Sequence, residues 1–183
     1  MFHYNQKISR YSSLLLLFVC LIFGTTAKSV LGKGDVQTTP TEIAQTSALN
    51  SKTQQALKEA LADEYKSRAF YQAVINKFGE VRPFSNIVMA EARHANALEQ
   101  LLIQYKVAIP PDAYANKIEA PGSLLTACQM SIVTEKENRE MYDRFLAFIQ
   151  EPDIRMVLER LRDASQQKHL PAFERCQQRL SRF

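Results

Sequence analysis

Acidic and imidazole side chains occupy positions where the helical repeat of this sequence calls for apolar ones. In residues 84–105, apolar residues recur at steps of three and four, which is the pattern of a helix with one buried face. Glu91 and His94 occupy two positions of that apolar pattern, and Glu64 interrupts a similar pattern in residues 57–78. Burying an ionised group costs on the order of several kcal/mol unless it is compensated. A metal ion inside a helical bundle would compensate all of these groups together.

The N-terminus has the three parts of a secretory signal peptide. Lys7 and Arg10 give a positive segment, residues 14–24 form an apolar core, and small residues precede an expected cleavage after Ala27. The apolar run is short for a membrane span, and an uncleaved anchor is the alternative. Residues 28–50, rich in Thr, Ser, Gln and Gly, predict a flexible linker. The protein is therefore expected to be exported, to the periplasm or outside the cell, with membrane contact only through an uncleaved signal segment.

Charge and motif content exclude several classes of function. The formal net charge of +4 falls to +2 when the two basic residues of the signal peptide are removed, and no basic cluster stands out, so nucleic acid is not an expected partner. A haem bundle would want a Cys-x-x-Cys-His motif, which is absent. A hemerythrin-type site needs more histidines than the two that remain after cleavage. No serine-hydrolase elbow or phosphate loop occurs.

The remaining residues, 51–183, predict an all-α domain of four helices, A to D. Ser51 and Gln54 fit a capping box at the start of helix A, and Pro171 should kink helix D because it removes a backbone donor. The helices are expected over residues 51–78 (A), 83–105 (B), 123–150 (C) and 152–180 (D).

The connections between these helices select a topology. The A–B and C–D connections are tight, so each of those pairs should be antiparallel. The B–C connection, residues 106–121, could reach roughly 50 Å when fully extended. That length lets helices B and C run parallel. One long crossover between helices B and C is the arrangement of a ferritin-like four-helix bundle.

An internal repeat supports this fold. Glu64 precedes Tyr71 by seven residues, and Glu135 precedes Tyr142 by seven, so the chain reads as a duplicated helical hairpin. These two tyrosines lie roughly 10 Å along the axis from the glutamates of their own helices. Together with Tyr65, they are expected to pack in the core rather than to carry radicals.

A second repeated element carries the candidate metal chemistry. Helix B has Glu91-x-x-His94, and helix D has Gln166-x-x-His169. Residues three apart share a helix face, so such a pair can reach one metal or bridge two. Carboxylates with imidazoles suit iron, manganese or zinc. In a dinuclear carboxylate bundle the four helices would supply Glu64 (A), Glu91 and His94 (B), Glu135 (C) and His169 (D).

Three segments resemble a known group of proteins. LADEYKSRAFYQAVINKFGEVRPFSNIVMAEARHANAL is similar to the first hairpin of an uncharacterised ferritin-like family of bacteria and archaea, and EKENREMYDRFL and SQQKHLPAF are similar to its second. The resemblance covers roughly residues 50–180. It implies a ferritin-like bundle with a metal site and no settled activity. In the wider superfamily the glutamates of helices A and C are terminal ligands, and the Glu of each Glu-x-x-His bridges the metals.

Gln166 departs from that pattern, because it stands where a second bridging glutamate would be. A neutral amide cannot bridge two cations as a carboxylate does. Weaker dinuclear binding, a single metal or an altered cofactor is therefore expected. Glu137 lies off the face defined by Glu135 and Tyr142, so it is a poor replacement.

Two cysteines of the mature chain are placed for a disulfide. Cys128 lies seven residues before Glu135, and Cys176 lies seven residues after His169. Equal and opposite offsets on antiparallel helices bring both cysteines to one level, and an exported chain meets an oxidising compartment. The sequence predicts a Cys128–Cys176 disulfide, with two buried free thiols as the alternative.

These patterns favour an exported ferritin-like metalloprotein with a carboxylate–histidine iron or manganese site. If it is an enzyme, the expected class is an oxidoreductase of the di-iron carboxylate type that reacts with oxygen or peroxide, including oxidation of Fe(II). The alternative is a non-catalytic bundle for metal binding or protein interaction, with a degraded dinuclear centre. Homo-oligomerisation is left open.

Overall fold

The computed structural model describes residues 48–182, which form an all-α bundle of four helical rods without a β-strand. The fourth rod is interrupted by a π-helical turn. None of the described helices has the length and apolar character needed to cross a bilayer. The predicted signal peptide, residues 1–27, lies outside the described residues, as does most of the predicted linker. The elements are α1 (Ser51–Phe78), α2 (Phe84–Gln104), α3 (Leu124–Leu146), α4 (Pro152–Ala164), the π-helical turn (Ser165–His169) and α5 (Leu170–Leu180).

Contacts between α1 and α3 fix the direction of the rods. Glu64 of α1 pairs with Tyr142 of α3, and Tyr71, later on α1, pairs with Glu135, earlier on α3, so the two helices are antiparallel. The short connection after α1 makes α2 antiparallel to α1 as well. Consequently α2 and α3 run parallel, and the long segment of residues 105–123 crosses the bundle between them. The predicted all-α bundle with one long crossover is confirmed.

Two apolar clusters fill the bundle on either side of a polar layer. One cluster includes Leu61 of α1 and Leu158 of α4, and the other includes Phe84 of α2 and Phe173 of α5. Each of these side chains is fully buried, which contributes roughly 1.5–3 kcal/mol per residue. On α2, α3 and the fourth rod, the candidate ligands lie between the residues of the first cluster and those of the second. The apolar packing therefore holds the polar layer at one depth.

The N-terminal cap of α1 is one residue earlier than the sequence predicts. The side chain of Asn50, not of Ser51, accepts a hydrogen bond from the backbone N–H of Thr53 at 2.9 Å. Asn and Ser are equally good caps, so composition alone does not separate the two positions. The side chain of Gln54 reaches back to the carbonyl of Leu49 at 2.8 Å, and Leu49 is buried in the core. The packed domain thus includes the last residues of the predicted linker.

Candidate metal centre

Five of the six predicted ligands meet in the middle of the bundle. Glu64, Glu91, Glu135 and His169 are at most 4% exposed, and they come from all four rods. The side chain of His94 is 17% exposed and is the one member with an edge toward solvent. These residues point inward because they occupy positions on the buried, otherwise apolar face of each helix.

Glu91 lies between two groups of ligands. Its Oε2 is 3.0 Å from Nδ1 of His94, which is also 3.3 Å from Oε2 of Glu64. Its Oε1 is 3.2 Å from Nδ1 of His169, which is also 3.4 Å from Oε1 of Glu135. In each group one ligand atom per residue lies within 4.8 Å of the others. Each carboxylate oxygen of Glu91 therefore faces its own Glu–His pair, as a bridge between two cations would.

Several buried polar atoms of this cluster lack hydrogen-bond partners. Oε2 of Glu64, Oε2 of Glu135 and Nδ1 of His169 are inaccessible to solvent, and within the described chain no donor or acceptor satisfies them. Buried polar atoms are nearly always paired in folded proteins, because leaving one unpaired costs about 1–3 kcal/mol. Buried oxygen and nitrogen atoms that make no hydrogen bond and surround one point can coordinate a cation. The residues present therefore fit a metal, and this group could hold one.

The charges of the cluster without a metal are set by mutual pairing. Burial alone would raise the pKa of Glu91, but the adjacent imidazoles of His169 and His94 outweigh it and hold that pKa well below the usual range. Burial opposes protonation of the histidines. The adjacent carboxylates of Glu64 and Glu91 nevertheless raise the pKa of His94 to about 9, and those of Glu135 and Glu91 raise the pKa of His169 to about 10. Protons thus occupy the places that cations would take.

Two buried tyrosines cross between α1 and α3 to support the terminal carboxylates. The hydroxyl of Tyr71 donates to Oε1 of Glu135 at 2.7 Å, and the hydroxyl of Tyr142 donates to Oε1 of Glu64 at 2.5 Å. Burial raises the pKa of both hydroxyls well above the usual value, so they stay protonated donors. The sequence placed both tyrosines in the core, but it did not reveal these contacts. The repeated seven-residue spacing was the only signal for them.

Behind Glu64, a polar pair joins α1 to α3 without any sequence signal. Asn138 donates through Nδ2 to Oδ2 of Asp63 at 2.7 Å. Burial raises the pKa of Asp63 to about 7, with the charge of Glu135 adding to the effect. Oδ1 of Asn138 and Oγ of nearby Ser67 are further buried oxygens without a partner in residues 48–182. The layer between α1 and α3 is therefore polar beyond the ligands themselves.

Gln166 does not belong to the cluster, contrary to the prediction from the sequence. It is exposed, and Ser165 is the residue buried with His169. The cause is the π-helical turn, in which the N–H of Leu170 donates to the carbonyl of Ser165, five residues back. The extra residue shifts the face by one position. Pro171 follows immediately, and a proline both lacks an N–H and crowds the carbonyl four residues earlier, so the wider turn relieves that conflict.

The fourth rod consequently offers an imidazole and no carboxylate to the centre. Glu137, the other replacement considered, is exposed on α3. The cluster then has three carboxylates, from Glu64, Glu91 and Glu135, beside two histidines. Two divalent cations bring four positive charges against three negative ones. A dinuclear centre here would keep one positive charge uncompensated by the protein.

Comparison with solved structures shows similarity at the level of fold. The chain superimposes on the crystal structure of the hypothetical protein MJ0754 from Methanococcus jannaschii with a TM-score of 0.65 and 21% identity, covering 73% of this chain and 83% of that one. No protein-family profile matches the sequence, and no curated protein matches it either. At this identity the likeness concerns the bundle architecture alone.

A disulfide joins the third and fourth rods beside the cluster. Cys128 of α3 and Cys176 of α5 are bonded, with their Cα atoms 6.0 Å apart, within the usual range. Both are at most 1% exposed. Because each lies two turns from a candidate ligand on its own rod, the bond ties together the helices that carry Glu135 and His169.

Proposed function

We propose that this protein is an exported, ferritin-like metalloprotein that holds two divalent iron or manganese ions in the Glu–His cluster. The observation that carries the proposal is the position of Glu91, whose two carboxylate oxygens each face a separate Glu–His pair. A purely structural ion-pair network has no need of this twofold arrangement. The free atoms on Glu64 and Glu135 add further support.

Family and location belong to the same proposal. The resemblance of residues 61–98 to an uncharacterised ferritin-like family agrees with the bundle and its crossover. Export rests on the signal-like residues 1–27 and agrees with the buried disulfide, since disulfides persist in oxidising compartments.

The side chains would have different roles in such a centre. Glu91 would bridge, Glu64 with His94 would hold one ion, and Glu135 with His169 would hold the other. Tyr71 and Tyr142 would fix the terminal carboxylates in orientation through their hydrogen bonds. The partly exposed edge of His94 would give small molecules their approach.

As a substrate reaction, we propose oxidation of Fe(II). Two ferrous ions each give up one electron, dioxygen accepts both electrons with two protons, and hydrogen peroxide leaves. Bound iron would supply this redox capacity, and the open positions left by five protein ligands would admit the oxidant.

A non-catalytic metal-binding or protein-interaction bundle is the second candidate. It is favoured by one observation, the missing carboxylate of the fourth rod, where Ser165 is buried and Gln166 is exposed. A centre that lacks a bridging ligand can keep metal affinity and lose turnover.

Metal analysis of protein purified without chelators tests the binding proposal. We expect about two ions per chain in the natural protein and loss of at least one in Glu91→Gln, because that change removes the shared carboxylate. Glu137→Gln is the matched control, since Glu137 is exposed on α3. Unchanged metal content in Glu91→Gln, in a variant with natural helicity by circular dichroism, would overturn the assignment.

Stopped-flow absorbance after mixing the protein with Fe(II) and oxygen separates the two candidates. Rapid formation of ferric absorbance, with one peroxide for every two ferrous ions, supports the oxidase. Stable metal binding without oxidation supports the non-catalytic bundle.

A further inference from the structure

A cleft on the surface opens beside the one partly exposed ligand. It lies between α2 and the fourth rod, has a volume of about 610 Å³, and includes His94 in its wall. That volume falls within the range of roughly 300–1,000 Å³ typical of small-molecule sites. Its apolar surface comes from Ala97, Val157, Leu161 and Ala164. The cleft is therefore amphipathic and adjoins the candidate metal centre.

The rim of this cleft is strongly cationic. Arg93, Arg160 and Lys168 line it, and within residues 48–182 none of the three forms an ion pair. The acidic residue of the lining, Asp163, is already engaged by the guanidinium of Arg162 at 3.0 Å. Free cations gathered around a concave surface raise the local concentration of anions.

The centre behind the cleft lacks one negative charge for two divalent ions. The ligand missing is a carboxylate from the fourth rod, and Gln167 and Lys168 of the π-helical turn on that rod line the same cleft. The π-helical turn, which supplies no anionic ligand to the centre, is thus next to the cleft with unpaired cations. An external carboxylate or phosphate group in the cleft would offset the charge.

We propose that this cleft binds a small organic anion carrying a carboxylate or phosphate group, which completes the charge balance of the metal centre. Anion binding in the cleft depends on the cleft alone, whereas the effect on charge balance rests on the proposed metal-binding function. An apolar wall beside three cations suits an organic body with an anionic head better than a bare inorganic ion. Ten residues line the cleft, against roughly 20–30 on each side of a standard interface with a protein partner.

Calorimetric titration with succinate and with phenyl phosphate tests the inference, because neither probe is a strong chelator. We expect both the metal-free and the Mn(II)-loaded protein to bind at least one probe, and the loaded protein to bind it about tenfold more tightly. By linkage, the probe must then tighten Mn(II) binding by the same factor. The probe that binds more tightly identifies the head group.

Arg160→Gln is the decisive variant, since Arg160 lies on α4 and is not one of the candidate ligands. One charge-assisted contact corresponds to roughly a tenfold loss of probe affinity, and Arg160→Gln with Lys168→Gln should lose more. Arg175→Gln on α5 removes the same charge elsewhere on the surface and should leave binding unchanged. Inorganic phosphate serves as the probe for simple ion binding.

The possible results separate this inference from the proposed function. Equal probe binding by the natural protein, Arg160→Gln and Arg175→Gln overturns the anion site, whatever the metal content. Probe binding that depends on Arg160 but is the same with and without Mn(II) supports the cleft and overturns its coupling to the metal. If the protein binds no metal, the proposed function fails, and loss of probe binding in Arg160→Gln still supports the cleft.

Discussion

The hydroxyl of Tyr142 on α3 donates a hydrogen bond of 2.5 Å to Oε1 of Glu64 on α1. The reciprocal contact, from Tyr71 on α1 to Glu135 on α3, has a length of 2.7 Å. The internal duplication of the chain therefore produces an exchange, in which each half supplies the tyrosine that supports the glutamate of the other half. The two hairpins are joined through the ligands themselves, and not through apolar packing alone.

The Tyr142→Phe variant should destabilise the metal-free protein by about 1–3 kcal/mol, because it leaves a buried carboxylate oxygen without its donor. Its metal affinity should fall by roughly 10–100-fold, as expected when the partner that orients a ligand is removed. Urea unfolding and metal titration measure the two effects. Tyr114→Phe is the control, since within residues 48–182 the Tyr114 hydroxyl makes no hydrogen bond. Equal unfolding midpoints for the two variants would contradict a role for the cross-helix bond.

The Cys128–Cys176 disulfide should contribute about 2–4 kcal/mol to the free energy of unfolding, because it closes a loop with a sequence separation of 48 residues in the unfolded chain. Urea unfolding of the oxidised protein and of the protein reduced under denaturing conditions measures this difference. A Cys128→Ala, Cys176→Ala double variant should not respond to reductant. If the reduced and oxidised proteins unfold at the same urea concentration, the bond does not constrain the unfolded chain as described.

Most of the fold and most of the ligand set were predictable from the sequence, because both depend on local periodicity. Helix limits follow from apolar spacing and from proline and glycine, and Glu64, Glu91 and His94 were visible as interruptions of apolar stripes. The long connection before α3 was enough to select the crossover. These features need no knowledge of which helices touch.

What the sequence did not reveal depends on register. No characteristic amino-acid pattern predicts a π-helical turn. Pro171 therefore predicted a kink in the fourth rod, but not that Ser165 would replace Gln166 on the inner face. The tyrosine–glutamate exchange and the contact between Asp63 and Asn138 require the alignment of α1 with α3, which only tertiary packing fixes.

The metal-free protein should lose stability as the pH rises from about 6.5 to 10. His94 and His169 have pKa values of about 9 and about 10 when folded, above the ordinary 6.5. The folded state therefore binds more protons than the unfolded state across this window, and stability falls with pH there. Glu91 acts in the opposite sense in acid, because its lowered pKa gives stability that is lost as the pH falls below about 4.5.

Bound metal should reverse the alkaline part of this profile, because histidines must be deprotonated to act as ligands, so affinity rises with pH. Thermal unfolding from pH 6 to 10, with and without Mn(II), measures both slopes. His169→Gln should flatten the metal-free slope. A metal-free profile that is level from pH 6.5 to 10 would contradict the pairing of these histidines with the glutamates.

Restoring an acidic residue to the fourth rod distinguishes the two possible registers of that rod. In an unbroken α-helix, Gln166→Glu would return the missing bridging carboxylate and strengthen metal binding. With the π-helical turn, residue 166 points to solvent, so we expect the metal affinity of Gln166→Glu to stay within about twofold of the natural protein.

Ser165→Asp is the informative partner of that change, because Ser165 is 3% exposed and shares the buried side of the turn with His169. We expect it to destabilise the metal-free protein by several kcal/mol, since it buries a further charge among carboxylates, and to raise affinity for the second metal ion. Urea unfolding and competitive metal titration measure the two effects. A stronger second site in Gln166→Glu, with none in Ser165→Asp, would mean that the fourth rod runs through His169 as an unbroken α-helix. In that case the charge deficit of the centre would come from an amide on the inner face, and the acidic substitution at 166 would repair it.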